Sequence, residues 1–193
     1  MDNDLLAPGN GLIYMKVGTH AQESLEDIYV RKKKEIEKVG YTLWGYGGNT
    51  CHPSTMVQPF AKSFEQKGQT IHLFMEPMES SHWAPPVVAN QYSADGIEWK
   101  DIHRAIEVRG SRFALAIKKL QKKDIELPLQ ATAVAIGNCT GRPGDLYVKG
   151  RVDKACLEVV ETPTIPNIER KPAKIGLVAE LVSPYAVYLK GER

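Results

Sequence analysis

The sequence predicts a single α+β domain, and three observations predict it. Apolar, β-branched segments alternate with two capped amphipathic helices over residues 12–80, helix signals nearly vanish after that, and 193 residues suffice for one core but leave little for two. The expected layout is an irregular lead-in over 1–11, a β-α-β-α-β lobe over 12–80 and a β-rich lobe over 81–193, both lobes belonging to one domain spanning 1–193.

The elements follow in order. Residues 1–11 are rich in Asp, Asn, Gly and Pro, and Leu12 to Val17 then reads as a strand closed by Gly18-Thr19. Ser24 is placed to cap the amide of Asp27, and Asp27 in the first turn suits the helix dipole. Leu25, Ile28, Tyr29, Ile36 and Val39 recur at helical spacing, which leaves Arg31, Lys33, Lys34 and Glu37 toward water until Gly40 ends the helix. Tyr41 to Tyr46 is a second strand, broken by Gly47-Gly48-Asn49. Thr55 with Gln58 three residues on has capping-box spacing, and Pro59 is tolerated near a first turn where its missing amide does no harm. Val57, Phe60, Ala61 and Phe64 form the stripe of this second helix, Gly68 stops it, and Gln69 to Met75 is a third strand ended by Pro77. Such alternation is expected of a partly parallel sheet with right-handed crossovers.

Beyond Trp83 short strands and turns dominate. Asp95-Gly96 fits a hairpin turn before Ile97 to Lys100. Strands are expected at Ile106 to Arg109, Phe113 to Lys118, Thr132 to Ile136, Tyr147 to Val152 and Cys156 to Val160. Three prolines make Glu161 to Pro172 a surface loop, and Leu177 to Val182 and Tyr185 to Leu189 form a last hairpin about Ser183-Pro184.

Composition narrows the function classes. Apolar runs such as Leu12 to Met15 fall far short of the roughly 20 residues that span a bilayer, so no membrane partner is expected. The acidic start Met1-Asp2-Asn3-Asp4 lacks the basic and apolar regions of a secretory signal, and the expected compartment is the cytoplasm. Cys51, Cys139 and Cys156 are an odd count without CxxC spacing, which argues for reduced thiols. A net charge of +2 does not itself announce nucleic-acid binding, so distribution matters more. Lys32, Lys33 and Lys34, after Arg31, form one basic cluster, and Lys118, Lys119, Lys122 and Lys123 form another. Each can follow a phosphate backbone or be an ordinary solvated face.

The segment Trp44 to Thr55 carries the most chemistry. A glycine-rich loop past a strand and before a helix is where open α/β sheets bind ligands, because backbone amides and the helix end attract anions. Gly47 and Gly48 allow close approach, Asn49, Thr50, His52, Ser54 and Thr55 supply donors, and Trp44 or Tyr46 is available to stack a base. His20, in the preceding strand-to-helix loop, is expected on the same rim. The alternative is a tight turn with both aromatics in the core. No Walker lysine and no GxGxxG are present. Cys51 beside His52 suggests a thiol nucleophile, which needs an orienting partner such as Asp145 or Asp153; the alternative is an inert thiol. His72, His82 and His103 show no ligand spacing, and neither a metal nor a cofactor is expected. Arg142 and Arg151, in a second glycine-rich stretch, are a candidate clamp for phosphate or carboxylate.

The leading expectation is a binding protein that recognises a nucleic acid or a nucleotide-like, phosphate-bearing ligand. Its alternatives are a small hydrolase or transferase using Cys51 and His52, and a scaffold subunit that meets a protein partner through an apolar patch around Trp83, Pro85, Pro86 and Val87.

Overall fold

The structure, a computed structural model, describes residues 4–47, 54–79, 85–148, 152–165 and 171–191. It is the α+β arrangement expected, with a β-α-β-α-β start and a strand-rich remainder in one mixed nine-stranded sheet. The start comprises β1 (Gly11–Val17), α1 (Leu25–Val39), β2 (Thr42–Gly45), α2 (Ser54–Gln66) and β3 (His72–Pro77). After it come β4 (Ala89–Ser93), β5 (Lys100–Asp101), β6 (Phe113–Leu127), β7 (Thr132–Val134), the one-turn α3 (Gly144–Tyr147), β8 (Lys154–Val159) and β9 (Ala173–Gly191).

Local chemistry explains the ends of α1. Ser24 is extended at φ −68° and ψ 156°, and its hydroxyl accepts the Asp27 amide at 3.1 Å, relieving one of the free donors of the first turn. At the other end Gly40 takes φ +88°, which only glycine adopts without a steric penalty, and its amide binds the Ile36 carbonyl at 2.8 Å. In α2, Val57, Phe60, Ala61 and Phe64 are all buried, as their spacing requires.

The sheet order is β2-β6-β9-β3-β1-β8-β7, with β4 joining β9 and β5 joining β4. Among the described residues only β1 and β3 pair in parallel, Ile13 opposite Leu73, while β2 sits at the far edge and pairs antiparallel with β6. The partly parallel sheet is thus reduced to one parallel pair, because the long antiparallel β6–β9 ribbon fills the centre and pushes β2 outward. The inner core lies between this sheet and the two long helices and contains Ile13, Met15, Trp44, Tyr46, Val57, Phe60 and Leu115. Two further cores cover other faces, one around Tyr14, Phe74 and Leu157, the other around Leu43, Ile106, Val108 and Leu189.

Four expected elements differ. Ile106 to Arg109 is not a strand: it makes a single bridge, Val88 to Arg109, and lays Ile106 and Val108 onto the third core. Tyr147 closes α3 instead of opening a strand; Pro143 starts that turn, and the rest of the expected strand lies partly outside the described residues. The last hairpin is one continuous strand, β9, that passes through a cis Ser183-Pro184 bond and Tyr185 at φ +66°. Pairing with β6 on both sides of this point carries the strand through the bend. The Asp95-Gly96 turn is present, but its return strand is only β5, since Asp95 Oδ1 accepts the amides of Ile97 and Glu98 and holds those residues in the turn.

Candidate functional site

The aromatics of the glycine-rich segment turn inward. Trp44 is 4% exposed and Tyr46 is 1% exposed, so neither presents a face for stacking a base, and the expectation that they do is corrected. Both lie on the side of β2 that packs into the inner core. The Lys154 ammonium lies 5.4 Å from the centre of the Tyr46 ring and 3.2 Å from Asp153, which closes the site further. Gly48, Asn49, Thr50, Cys51, His52 and Arg151 lie outside the described residues, as does the side chain of Ser54. Thr55 is exposed in the first turn of α2.

His20 contacts a loop that packs on the end of β2, through a serine the sequence did not single out. Its Nε2 lies 3.2 Å from the Gly110 carbonyl and 3.3 Å from Ser111 Oγ. A Cβ on Gly45 would come within 2.6 Å of that same Ser111 oxygen, so the serine packs directly on the β2 backbone. Arg142 is far from this place: it belongs to an exposed turn beside β7, at the opposite edge of the sheet from β2, and its carbonyl accepts the Val134 amide at 2.9 Å.

The basic clusters are mostly committed to partners. Lys118 and Lys119 each reach Glu180 at 2.7 Å. Burial raises the Glu180 carboxyl, but these two ammonium groups outweigh it and hold the carboxyl below its usual range. Lys122 binds both oxygens of Glu26 at 2.8 Å and stands over the Tyr29 ring. Lys32 is only 2% exposed and donates to Glu35 at 2.9 Å and to the Glu107 carbonyl, which corrects its assignment as a backbone contact. Burial outweighs the pull of Glu35 and brings this ammonium down to about 8. Lys33 is half-buried and Lys34 is exposed, and Lys34 faces a groove taken up below.

A different pocket opens beside the start of α2. It has a volume of about 150 Å³ and lies between Thr55 and Gln58 of α2, the β4–β5 turn at Asp95, and the ring pair Phe113 and Tyr188. Phe113 and Tyr188 face each other across β6 and β9 with centroids 5.3 Å apart and planes tilted by 58°. Gln58 donates its amide nitrogen to the carbonyls of Pro184 and Ala186, which ties α2 to the bend of β9. Its oxygen is the group it has left to offer a ligand. The backbone amides of Ile97 and Glu98, with the Ser93 hydroxyl, hold the Asp95 carboxyl below its usual range, so it is ionised at neutral pH. Two residues along the same face of β9, Lys190 stands 5.5 Å over the Trp99 ring. No family model, curated protein or solved structure matches the chain. What the site can do therefore rests on its own chemistry.

That chemistry combines aromatic rings with hydrogen-bond acceptors. The wall presents the Phe113 and Tyr188 rings, the Asp95 carboxylate and the Gln58 amide oxygen, while Lys190, outside the lining, stands over Trp99. Among the described residues no group of three or more His, Cys, Asp or Glu could hold a metal, and no helix is long and apolar enough to cross a membrane. Of the described cysteines, Cys156 is fully buried, and burial pushes its thiol far up, which makes it a poor nucleophile. The sequence singles out Trp44 and Tyr46, whereas the aromatics that line the pocket beside α2 are Phe113 and Tyr188. The signal that was available is the alternation Ala186, Tyr188, Lys190, which puts an aromatic and a cation on one face of a strand.

Proposed function

We propose that the chain is a non-catalytic binding protein for nucleic acid or a nucleotide-like ligand, with an unpaired base seated between α2 and the Phe113–Tyr188 pair. The observation that carries this reading is the pocket wall itself, two rings beside an ionised carboxylate and an amide oxygen. A volume of about 150 Å³ suits one ring and is well under the roughly 300 Å³ or more typical of sites that enclose a whole small ligand. A single strand meets this requirement, since its bases are free to leave the stack. Asp95 and Gln58 accept and do not donate through the groups they have left, so amino-bearing bases such as adenine and cytosine are favoured over thymine.

The test is a fluorescence titration of labelled single-stranded dA, dC and dT oligonucleotides at low salt. Tyr188→Ala is expected to weaken binding by about 1–3 kcal/mol, roughly 5- to 150-fold, with little change in the salt dependence. Unchanged affinity in that variant, or no binding of any oligonucleotide at low salt, rejects the reading. A second reading, a subunit docking to another protein, would then gain weight from exposed Pro85, Pro86, Val87 and Val88.

A further inference from the structure

We infer that the groove between α1 and residues 103–107 is a second binding site, specific for a chain of phosphates. It has a volume of about 440 Å³ and carries Lys34, Lys38 and Arg104 on its rim, all exposed. This site is separate from the base pocket, since the two share no lining residue.

Arg31, Glu35 and Glu107, which line the groove, belong to a closed ion network in which every carboxylate has a cation. Arg31 pairs with Glu23 and with Glu35, Lys32 pairs with Glu35, and Arg109 pairs with Glu107 and approaches Glu23 at 3.9 Å. Three carboxylates (Glu23, Glu35, Glu107) face three cations (Arg31, Lys32, Arg109), so the network as a whole is neutral. Arg31 and Lys32 also donate to the Glu107 carbonyl, while Glu35 accepts the Glu107 amide at 3.1 Å. These bonds fasten the 103–107 segment across α1 and so fix the width of the groove.

Against that neutral network the rim is not balanced. Lys34 and Lys38 are one helical turn apart on the same face of α1, and Arg104 stands across from them. None of the three has an ion-pair partner among the described residues, and the one other lining acid, Asp27, already accepts the Ser24 hydroxyl at 2.6 Å. On the rim three cations face one carboxylate, and with Arg31, Glu35 and Glu107 included the charged side chains lining the groove sum to +1 around an opening of ligand size. Two point-charge ammonium groups and one forked guanidinium suit successive phosphates, whether these belong to a nucleic-acid strand or to a free polyphosphate.

The experiment uses the full chain with three probes: inorganic tripolyphosphate, a labelled dT oligonucleotide and poly-glutamate of matched charge. The variant K34Q/K38Q/R104Q changes only exposed side chains, so its melting temperature is expected to stay near that of the parent, and Arg104→Glu serves as a single-site companion. Tripolyphosphate affinity is expected to fall at least tenfold in both variants and to be unaffected by Tyr188→Ala, which separates this site from the base pocket. If the source is a strand, the slope of log affinity against log salt for dT flattens by about 2 in the triple variant, roughly 0.7 for each contact. If the source is free polyphosphate, tripolyphosphate responds and dT does not. Wild-type tripolyphosphate affinity in the triple variant, or equal affinity of the parent for poly-glutamate, overturns the inference.

Discussion

Replacing Glu35 by alanine is expected to destabilise the protein by about 3–5 kcal/mol, because it strips the buried Lys32 ammonium of its carboxylate partner and Arg31 of one of its two. Glu35 is 3% exposed and sits at the centre of the network: one oxygen takes Arg31 and the Glu107 amide, the other takes Lys32 and the Thr42 hydroxyl. Its loss leaves the buried Lys32 ammonium with only the Glu107 carbonyl, and leaves the Glu107 amide and the Thr42 hydroxyl short of an acceptor. For a chain of this length the corresponding drop in melting temperature is roughly 6–20 °C. Urea denaturation monitored by circular dichroism measures it. A change below about 1 kcal/mol would mean that the network is no more than a set of surface ion pairs.

Trp44→Ala separates two roles that the sequence leaves open. As a core residue opposite Leu115, with its indole packed among inner-core side chains, Trp44 should cost about 3–5 kcal/mol of stability when truncated. Ligand affinity, corrected for the folded fraction, should then stay within about twofold of the parent, because Trp44 is not among the residues that line the proposed base pocket. A variant that melts like the parent but loses affinity by about 1–3 kcal/mol would restore Trp44 as a stacking platform. Thermal melting and an oligonucleotide titration on the same preparation give both readings.

The parts of the fold that were legible in the sequence are those fixed by neighbours in the chain. Ser24, Asp27 and Gly40 set the ends of α1 through bonds spanning three or four residues, so reading them needs no knowledge of the rest. The place of β2 is different, since its partner is β6, some 70 residues later, and nothing local distinguishes an edge strand from one beside β1. Ser183-Pro184 looks like a hairpin turn when only its own residues are read. It becomes a bend in β9 because β6 and β4 hold the strand beyond it.

The same distinction governs the candidate site. Period-two alternation puts Trp44 and Tyr46 on one face of β2, but only the tertiary structure shows that this face lies in the inner core. Phe113, Tyr188, Asp95 and Gln58 come from four elements and carry no common motif, so their convergence has no sequence signature. Gly45 is similar: its need for glycine comes from Ser111, which approaches from a distant loop.

Photocrosslinking tests the central claim most directly. A single-stranded oligonucleotide carrying one 5-iodocytosine, an amino-bearing base, is irradiated with the protein at low salt, and the attached peptide is identified by mass spectrometry. The account predicts adducts on Phe113 or Tyr188, lost when an excess of unlabelled dC oligonucleotide is present. Adducts confined to other parts of the chain, or none at all under conditions where the oligonucleotide binds, would contradict it.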